Sequence, residues 1–342
     1  MKAVRKLKPA PGAEMVDIPV PKPGPGEILV KVKATSICGT DAHIYVWNDW
    51  AKAKINPPQT MGHEFSGEVV EAGKDVEDVK VGDYVSAETH VVCGKCYQCR
   101  TGHADVCQDL SILGVDMDGC FAEYVKIPAV NAWKNAASLP PDVASIQEPL
   151  GNAVHTALST DLVGKTVLVT GCGPIGLLTI QVAKAAGAVA VFTSEVNDYR
   201  RDLSVKMGSD LALNPIKQDV VSETRKATGG RGVDVVLEMS GNNTAISQAL
   251  KAMRSGGVMV ALGVPDNNIS FDWGNDMVFK GITIIGVTGR KLWDTWYNVR
   301  AFLDSGKIDV APIITHRMPL DDYKKGLDLM VAGNCGKVVL LP

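Results

Sequence analysis

The sequence predicts a two-domain α/β protein: a mostly-β domain over residues 1–150 and 295–342, and a doubly wound parallel-sheet domain over residues 151–294. Three observations carry that prediction. The first 150 residues hold short apolar runs cut by Gly, Pro and Asp, a strand-and-turn rhythm without helical periods. The middle alternates apolar runs with segments of helical spacing, the pattern of parallel strands joined by crossover helices. From about residue 295 the chain returns to a mixed pattern and closes on KVVLLP, a predicted strand.

The elements follow in order. PVPKPGPGE (19–27) is too rich in proline for a helix or a central strand. EILVKVKA (27–34), FSGEVVEAG (65–73), DYVSAE (83–88) and FAEYVKIP (121–128) read as strands bounded by turn residues. KTVLVTG (165–171) is a short buried strand, and PIGLLTIQVAKAAG (174–187) has helical apolar spacing with a glycine stop. AVAVFTSE (188–195), VDVVLEMSG (233–241) and VMVALGV (258–264) read as further buried strands.

Composition narrows the function. The 342 residues are 46% apolar, ample for two cores, and carry a net charge of −3. Nothing there fits binding to nucleic acid or to an anionic membrane. No apolar run approaches the ~20 residues of a membrane span. MKAVRKLKPAPGAEM lacks the apolar core of a secretory leader, so a cytosolic protein is expected. In a reducing compartment, eight cysteines are free thiols or metal ligands more often than disulfides.

Gly171-Cys172-Gly173-Pro174-Ile175-Gly176 matches G-x-G-x-x-G. Six residues with three glycines are a weak signal alone, and a glycine turn without a ligand is the plain alternative. Here a strand precedes the motif and a helix follows it. Gly171 would make the turn, Gly173 would admit a pyrophosphate, and Gly176 would let helix and strand pack. The next strand ends on Glu195, whose carboxylate can accept from ribose hydroxyls and repels a 2′-phosphate, which favours NAD over NADP. Arg200 either opposes that preference by holding a 2′-phosphate or lies along the adenosine ribose.

Two groups of metal-ligand residues stand out. CGKCYQCRTGHADVC packs Cys93, Cys96, Cys99 and Cys107 into fifteen residues, at spacings of three, three and eight. A site of four thiolates leaves no position for a substrate, so it suits a structural ion; disulfides and unligated thiols are the alternatives. Elsewhere, Cys38 and the pair His63-Glu64 supply a thiolate, an imidazole and a carboxylate, the ligand types of a zinc that keeps a position open. Cys120, Cys172 and Cys335 read as packing residues.

These pieces together resemble the zinc-dependent medium-chain dehydrogenases over essentially the whole chain: GEILVKVKATSICGTDAH, GHEFSGEVVEAG, VGDYV, the cysteine block and VLVTGCGPIG. The resemblance implies a GroES-like catalytic domain, a Rossmann domain, two zinc ions per chain and a homotetramer. It makes Cys38, His63 and Glu64 ligands of the catalytic zinc, and Cys93, Cys96, Cys99 and Cys107 ligands of the structural one. Glu148, in SIQEPLGNAVHT, stands where many members carry a cysteine ligand; the branches acting on threonine and on polyols also have a carboxylate there. Whether Glu148 binds zinc directly, through water, or only relays a proton stays open. Thr40 and His43 match the pair that carries the proton away, although on spacing alone His43 is a surface histidine.

The implied reaction is oxidation of a secondary alcohol, with hydride passing to NAD and a proton leaving through Thr40 and His43 or through Glu148. An amino acid substrate would bring a carboxylate, for which Arg290 is the candidate; a solvated arginine is the alternative. The nicotinamide is expected against Leu262-Gly263-Val264 and Gly286-Val287, at strand ends. Polyols and 2,3-butanediol are the alternative substrates. A non-catalytic relative that keeps the fold and the NAD site and serves as a binding or structural protein is the third reading, opposed by the retained Cys38, His63, Glu64 and Thr40.

Overall fold

A computed structural model describes residues 1–265 and 267–342. The chain forms two compact units, one of Met1–Pro149 with Ile314–Pro342 and one of Leu150–Ile313. Among the described residues no helix is long and apolar enough to cross a membrane.

The first unit is built on a seven-stranded sheet. Its strands run in the order Ala132–Lys134, Tyr84–Ala87, Glu64–Ala72, Glu27–Ser36, Lys337–Leu341 and Ile314–Pro319, with Tyr124–Pro128 also paired to Glu27–Ser36. Glu27–Ser36 is the spine. It pairs antiparallel with Glu64–Ala72 in a register that sets Ser36 opposite Glu64, and with Lys337–Leu341 through Ser36 and Val339. Ile28, Val30 and Val32 on the spine, Phe65 and Val69 on its neighbour, and Leu327 and Val338 near the C-terminus share one core. Three segments distant in sequence thus meet at Ser36, Glu64 and Lys337.

The second unit is a six-stranded sheet in the order Leu211–Leu213, Ala190–Ser194, Thr166–Thr170, Val233–Glu238, Met253–Ala261 and Thr283–Gly286. Every pairing in it is parallel. Val167, Leu168, Val169, Val235, Val236 and Leu237 are buried, the near-continuous apolar runs that a sheet covered on both faces requires. The strand order reverses at Thr166–Thr170, so the following loop lies at a topological switch point.

Residues 295–313 differ from the sequence reading, which placed them with the first domain. They belong to the second unit. Helix Asp294–Asp304 buries Trp296 and Val299, and the Asp309 N–H donates to Gln181 Oε1 on helix Pro174–Ala185 at 2.7 Å. The return to the first unit comes at strand Ile314–Pro319.

Candidate metal centres and cofactor loop

Cys38 caps the N-terminus of helix Gly39–Val46. Its backbone N–H donates to Asp41 Oδ2 at 2.9 Å, so the acid at the third helical position reaches back and fixes the turn. The other Asp41 oxygen accepts the Gly62 N–H at 3.2 Å, tying this turn to the segment carrying His63. As a result Cys38 Sγ, a His63 ring nitrogen and a Glu64 oxygen lie within 4.8 Å of one another.

Charge explains what such a cluster can hold. Asp41, His63 and Glu64 are buried. Burial pushes the Asp41 carboxyl up against the pull of His63. Burial alone would lower His63, but Asp41 and Cys38 beside it raise it to about 10. Burial also pushes Glu64 up, against the pull of the Lys337 ammonium. The buried Lys337 donates to Glu64 Oε2 and to the Ile37 carbonyl, the latter at 3.0 Å. Ser36 Oγ donates to the same Glu64 oxygen. Glu64 Oε1 and His63 Nδ1 are buried without a hydrogen-bond partner among the described residues. His63 Nδ1 faces Asp41 Oδ1 at 3.8 Å. An acid-rich pocket, a single lysine and an unpartnered Glu64 oxygen fit a divalent cation.

The remaining residues predicted for this chemistry lie nearby. Thr40 Oγ1 is 3.8 Å from Cys38 Sγ. Glu148 is buried and accepts from Thr89 Oγ1 at 3.2 Å. It falls outside the 4.8 Å set, yet its charge acts on His63, Glu64 and Lys337. His43 is exposed, edge-on to Trp50, with Nδ1 2.9 Å from the Asn48 amide nitrogen. Asn48 Oδ1 accepts the Ala51 N–H at 3.0 Å, which orients that amide toward the imidazole. Lys337, Ser36, Asp41, Thr89 and Asn48 were not anticipated. Only Asp41 had a local signal, its three-residue spacing from Cys38.

The four-cysteine block forms a lobe of its own. All eight cysteines are free. Cys107 Sγ lies 3.5 Å from Cys93 Sγ and 3.8 Å from Cys96 Sγ, and all four sulfurs fall within 4.8 Å of one another. A disulfide needs about 2 Å. The edge of a tetrahedron with zinc–sulfur bonds of about 2.3 Å is about 3.8 Å, so the sulfurs already outline such a site. Backbone N–H groups of Cys93, Cys96 and Cys99 point at sulfurs of the set at 3.3, 3.4 and 3.5 Å. Those of Cys99 and Gln108 pull Cys96 down to about 6, whereas burial and neighbouring sulfurs push Cys99 up to about 12. Cys120, Cys172 and Cys335 are fully buried packing residues.

In the second unit, the glycine loop follows strand Thr166–Thr170 as expected. Gly171 takes a φ of +81°, and a Cβ on Gly176 would lie 2.0 Å from the Gly171 carbonyl oxygen. No other residue type allows that approach of helix to loop. Pro174 opens the helix at its first turn. Glu195 ties this loop to the next strand: its Oε2 accepts the Cys172 N–H at 2.6 Å, and Oε1 accepts from Asn197 at 2.8 Å. Arg200 stands on helix Asp198–Lys206, its N–H capped by Asn197 at 3.1 Å. The N–H groups of Leu262 and Gly263 donate to the Glu238 carbonyl, and that of Val287 to Ala261. The N–H groups of Leu262, Gly263 and Val287 are thus engaged within the fold, while Val264 is 86% exposed. Gly286 ends the edge strand Thr283–Gly286.

Arg290 is not a solvated arginine. It is 1% exposed, lies against Gly151, where a Cβ would meet its Cδ at 2.6 Å, and donates to Asn152 Oδ1 at 3.3 Å. His155 Nδ1 pairs with the Gly289 carbonyl at 3.0 Å just before it.

Comparison with known proteins agrees. Residues 24–140 match the alcohol dehydrogenase GroES-like domain and residues 174–305 the zinc-binding dehydrogenase model. An L-threonine 3-dehydrogenase from Caldanaerobacter subterraneus subsp. tengcongensis is 58% identical, over 100% of this chain and 99% of its own length. Among solved structures, a zinc-binding dehydrogenase from Sinorhizobium meliloti bound to NADP is 32% identical with a TM-score of 0.90. An Escherichia coli alcohol dehydrogenase complexed with NADH is 29% identical with a TM-score of 0.91. Each of the two covers 100% of this chain and 99% of its own.

Proposed function

This chain belongs to the zinc-binding alcohol dehydrogenase family, and from that premise we propose that it oxidises the C3 hydroxyl of L-threonine to L-2-amino-3-oxobutanoate. Bound NAD would supply the hydride acceptor, giving NADH, with one proton released to solvent. The observation that carries the chemistry is the convergence of Cys38, His63 and Glu64, with the buried Glu64 Oε1 left without a hydrogen-bond partner. The whole-length likeness to L-threonine 3-dehydrogenase supports the substrate.

We assign one zinc to Cys38, His63 and Glu64 and a second to the four cysteines. A zinc in the first site supplies Lewis-acid polarisation of the substrate hydroxyl. Lys337 and Ser36 hold one Glu64 oxygen and leave the other for the metal. The Thr40 hydroxyl beside Cys38 would take the alcohol proton, and the exposed His43 on the same helix would pass it to water. Glu148, held by Thr89, is the alternative acceptor at the same pocket. Glu195 would favour NAD by receiving ribose hydroxyls, and Arg200 would line that ribose. The segments at Leu262-Gly263-Val264 and Gly286-Val287 flank the nicotinamide. Arg290, buried and donating to Asn152 Oδ1, is our candidate to hold the substrate carboxylate. We further propose that the enzyme works in the cytoplasm as a homotetramer, the assembly that the family resemblance implies.

The test is NADH formation by the purified protein with L-threonine, run beside D-threonine, L-serine, 2,3-butanediol and sorbitol. Turnover of L-threonine well above the others supports the reading. Turnover of the diols alone keeps the metal chemistry and replaces the substrate, and Arg290 loses its role.

A further inference from the structure

Glu238 ends its strand with a fully buried carboxylate for which the reaction has no use. Its neighbours in register are Thr170 and Ala261, so three adjacent parallel strands finish together around it. Oε1 accepts from Thr170 Oγ1 at 3.2 Å, from the Ser240 N–H at 2.8 Å, from the Gly241 N–H at 3.0 Å, and from the Ser240 hydroxyl. The Glu238 carbonyl accepts the N–H groups of Leu262 and Gly263 at 2.9 and 3.1 Å. One residue therefore ties the end of the central strand to both neighbouring loops.

Those loops are pressed together with no room for side chains. A Cβ on Gly263 would lie 2.3 Å from the Gly241 nitrogen and 2.5 Å from Glu238 Oε2. A Cβ on Gly241 would lie 2.5 Å from the Val264 carbonyl oxygen, and one on Gly171 would lie 2.9 Å from Ser240 Cα. The glycine loop, the Ser240-Gly241 turn and the Gly263-Val264 segment thus form one contiguous stack at the carboxyl ends of the strands, where open α/β sheets bind ligands. Two carboxylates hydrogen-bond within this stack: Glu195 accepts the Cys172 N–H of the glycine loop, and Glu238 alone holds the Ser240-Gly241 turn.

We propose that Glu238 is a positioning residue for the cofactor: it sets the Ser240-Gly241 and Gly263-Val264 backbones at the distance the nicotinamide half of NAD requires. This rests on the cofactor reading above. Adenosine recognition hangs instead on Glu195 and Arg200, one strand away on the far side of Thr166–Thr170. Loss of Glu238 should therefore weaken the dinucleotide and spare its adenylate half.

The experiment compares NADH and AMP binding by calorimetry in the full-length protein and its variants. Glu238→Ala leaves buried donors without an acceptor, and NADH binding should weaken about 30-fold while AMP stays within about threefold. Glu238→Gln, which keeps a carbonyl where Oε1 sits, should recover most of that loss. If Glu238→Ala does not fold, Glu238→Gln and Thr170→Val carry the test, with a smaller loss confined to NADH. Unchanged NADH binding in folded Glu238→Ala, or in Thr170→Val where that variant stands in for it, overturns the proposal, and so does equal weakening of both ligands. A wild-type protein that binds AMP but not NADH removes the cofactor reading and this proposal with it.

Discussion

The first unit holds two candidate metal centres built on opposite plans. The cysteine lobe takes all four donors from residues 93–107, and its N–H groups serve its own sulfurs. The Cys38 pocket takes three different donor types from two segments and leans on Lys337, 273 residues from Glu64. A closed set of like donors holds an ion and offers a substrate nothing. A mixed, incomplete set wrapped in buried charge leaves a coordination position and a reason to keep it. Local construction suits a structural clip, and long-range construction puts a reactive centre under the control of the whole fold.

The sharpest way to break this contrast is to remove the long-range support. Lys337→Leu leaves Glu64 buried without its cation, and the loss should be about 3 kcal/mol in urea denaturation. Lys337→Arg should recover part of it. Stability unchanged in Lys337→Leu would show that the pocket does not depend on distant charge. Next in size, Cys99→Ser should cost about 2 kcal/mol and one zinc per chain, read by denaturation and metal analysis. Retention of both ions there would contradict four-thiolate coordination.

A smaller effect tests the other unit. Glu195→Ala should lower the preference for NAD over NADP about tenfold in kcat/KM, since the carboxylate that repels a 2′-phosphate is gone. No change would assign Glu195 to the glycine loop alone. The smallest effect is a matter of pH. With Cys96 drawn down to about 6, its thiolate is populated once pH rises through that value. In chelator-treated protein, iodoacetamide should therefore mark Cys96 first in mildly acidic buffer, while Cys99, pushed up to about 12, stays unmodified. Peptide mass mapping reads the order, and Cys99 reacting first would reverse the electrostatics described for the lobe.

The two centres also differ in how far they can be read from sequence. The lobe is legible because its ligands are neighbours in the chain. Cys38, His63 and Glu64 gain meaning only in combination and through a family likeness. Lys337 is invisible: a lysine in KVVLLP signals nothing until strand pairing sets it beside Glu64. Glu238 and its loops are hidden for the same reason, since the glycines at 241 and 263 matter only through each other. Arg290 looked as well solvated as bound, because its burial depends on Gly151, far back in the chain, leaving space for it. The four central strands of the parallel sheet were readable from their apolar runs, and the short edge strand Leu211–Leu213 was not. The boundary at 295 was not, because helix Asp294–Asp304 continues the α/β rhythm under a mixed composition.

The most direct test of the division of labour is to measure zinc content and L-threonine turnover together in Cys38→Ser and Cys99→Ser. The account predicts one zinc per chain in each. Turnover should fall about a thousandfold in Cys38→Ser, with the fold intact. In Cys99→Ser it should persist at reduced stability. Full turnover in Cys38→Ser, or its complete loss in a stably folded Cys99→Ser, would contradict the assignment of the chemistry to the mixed pocket.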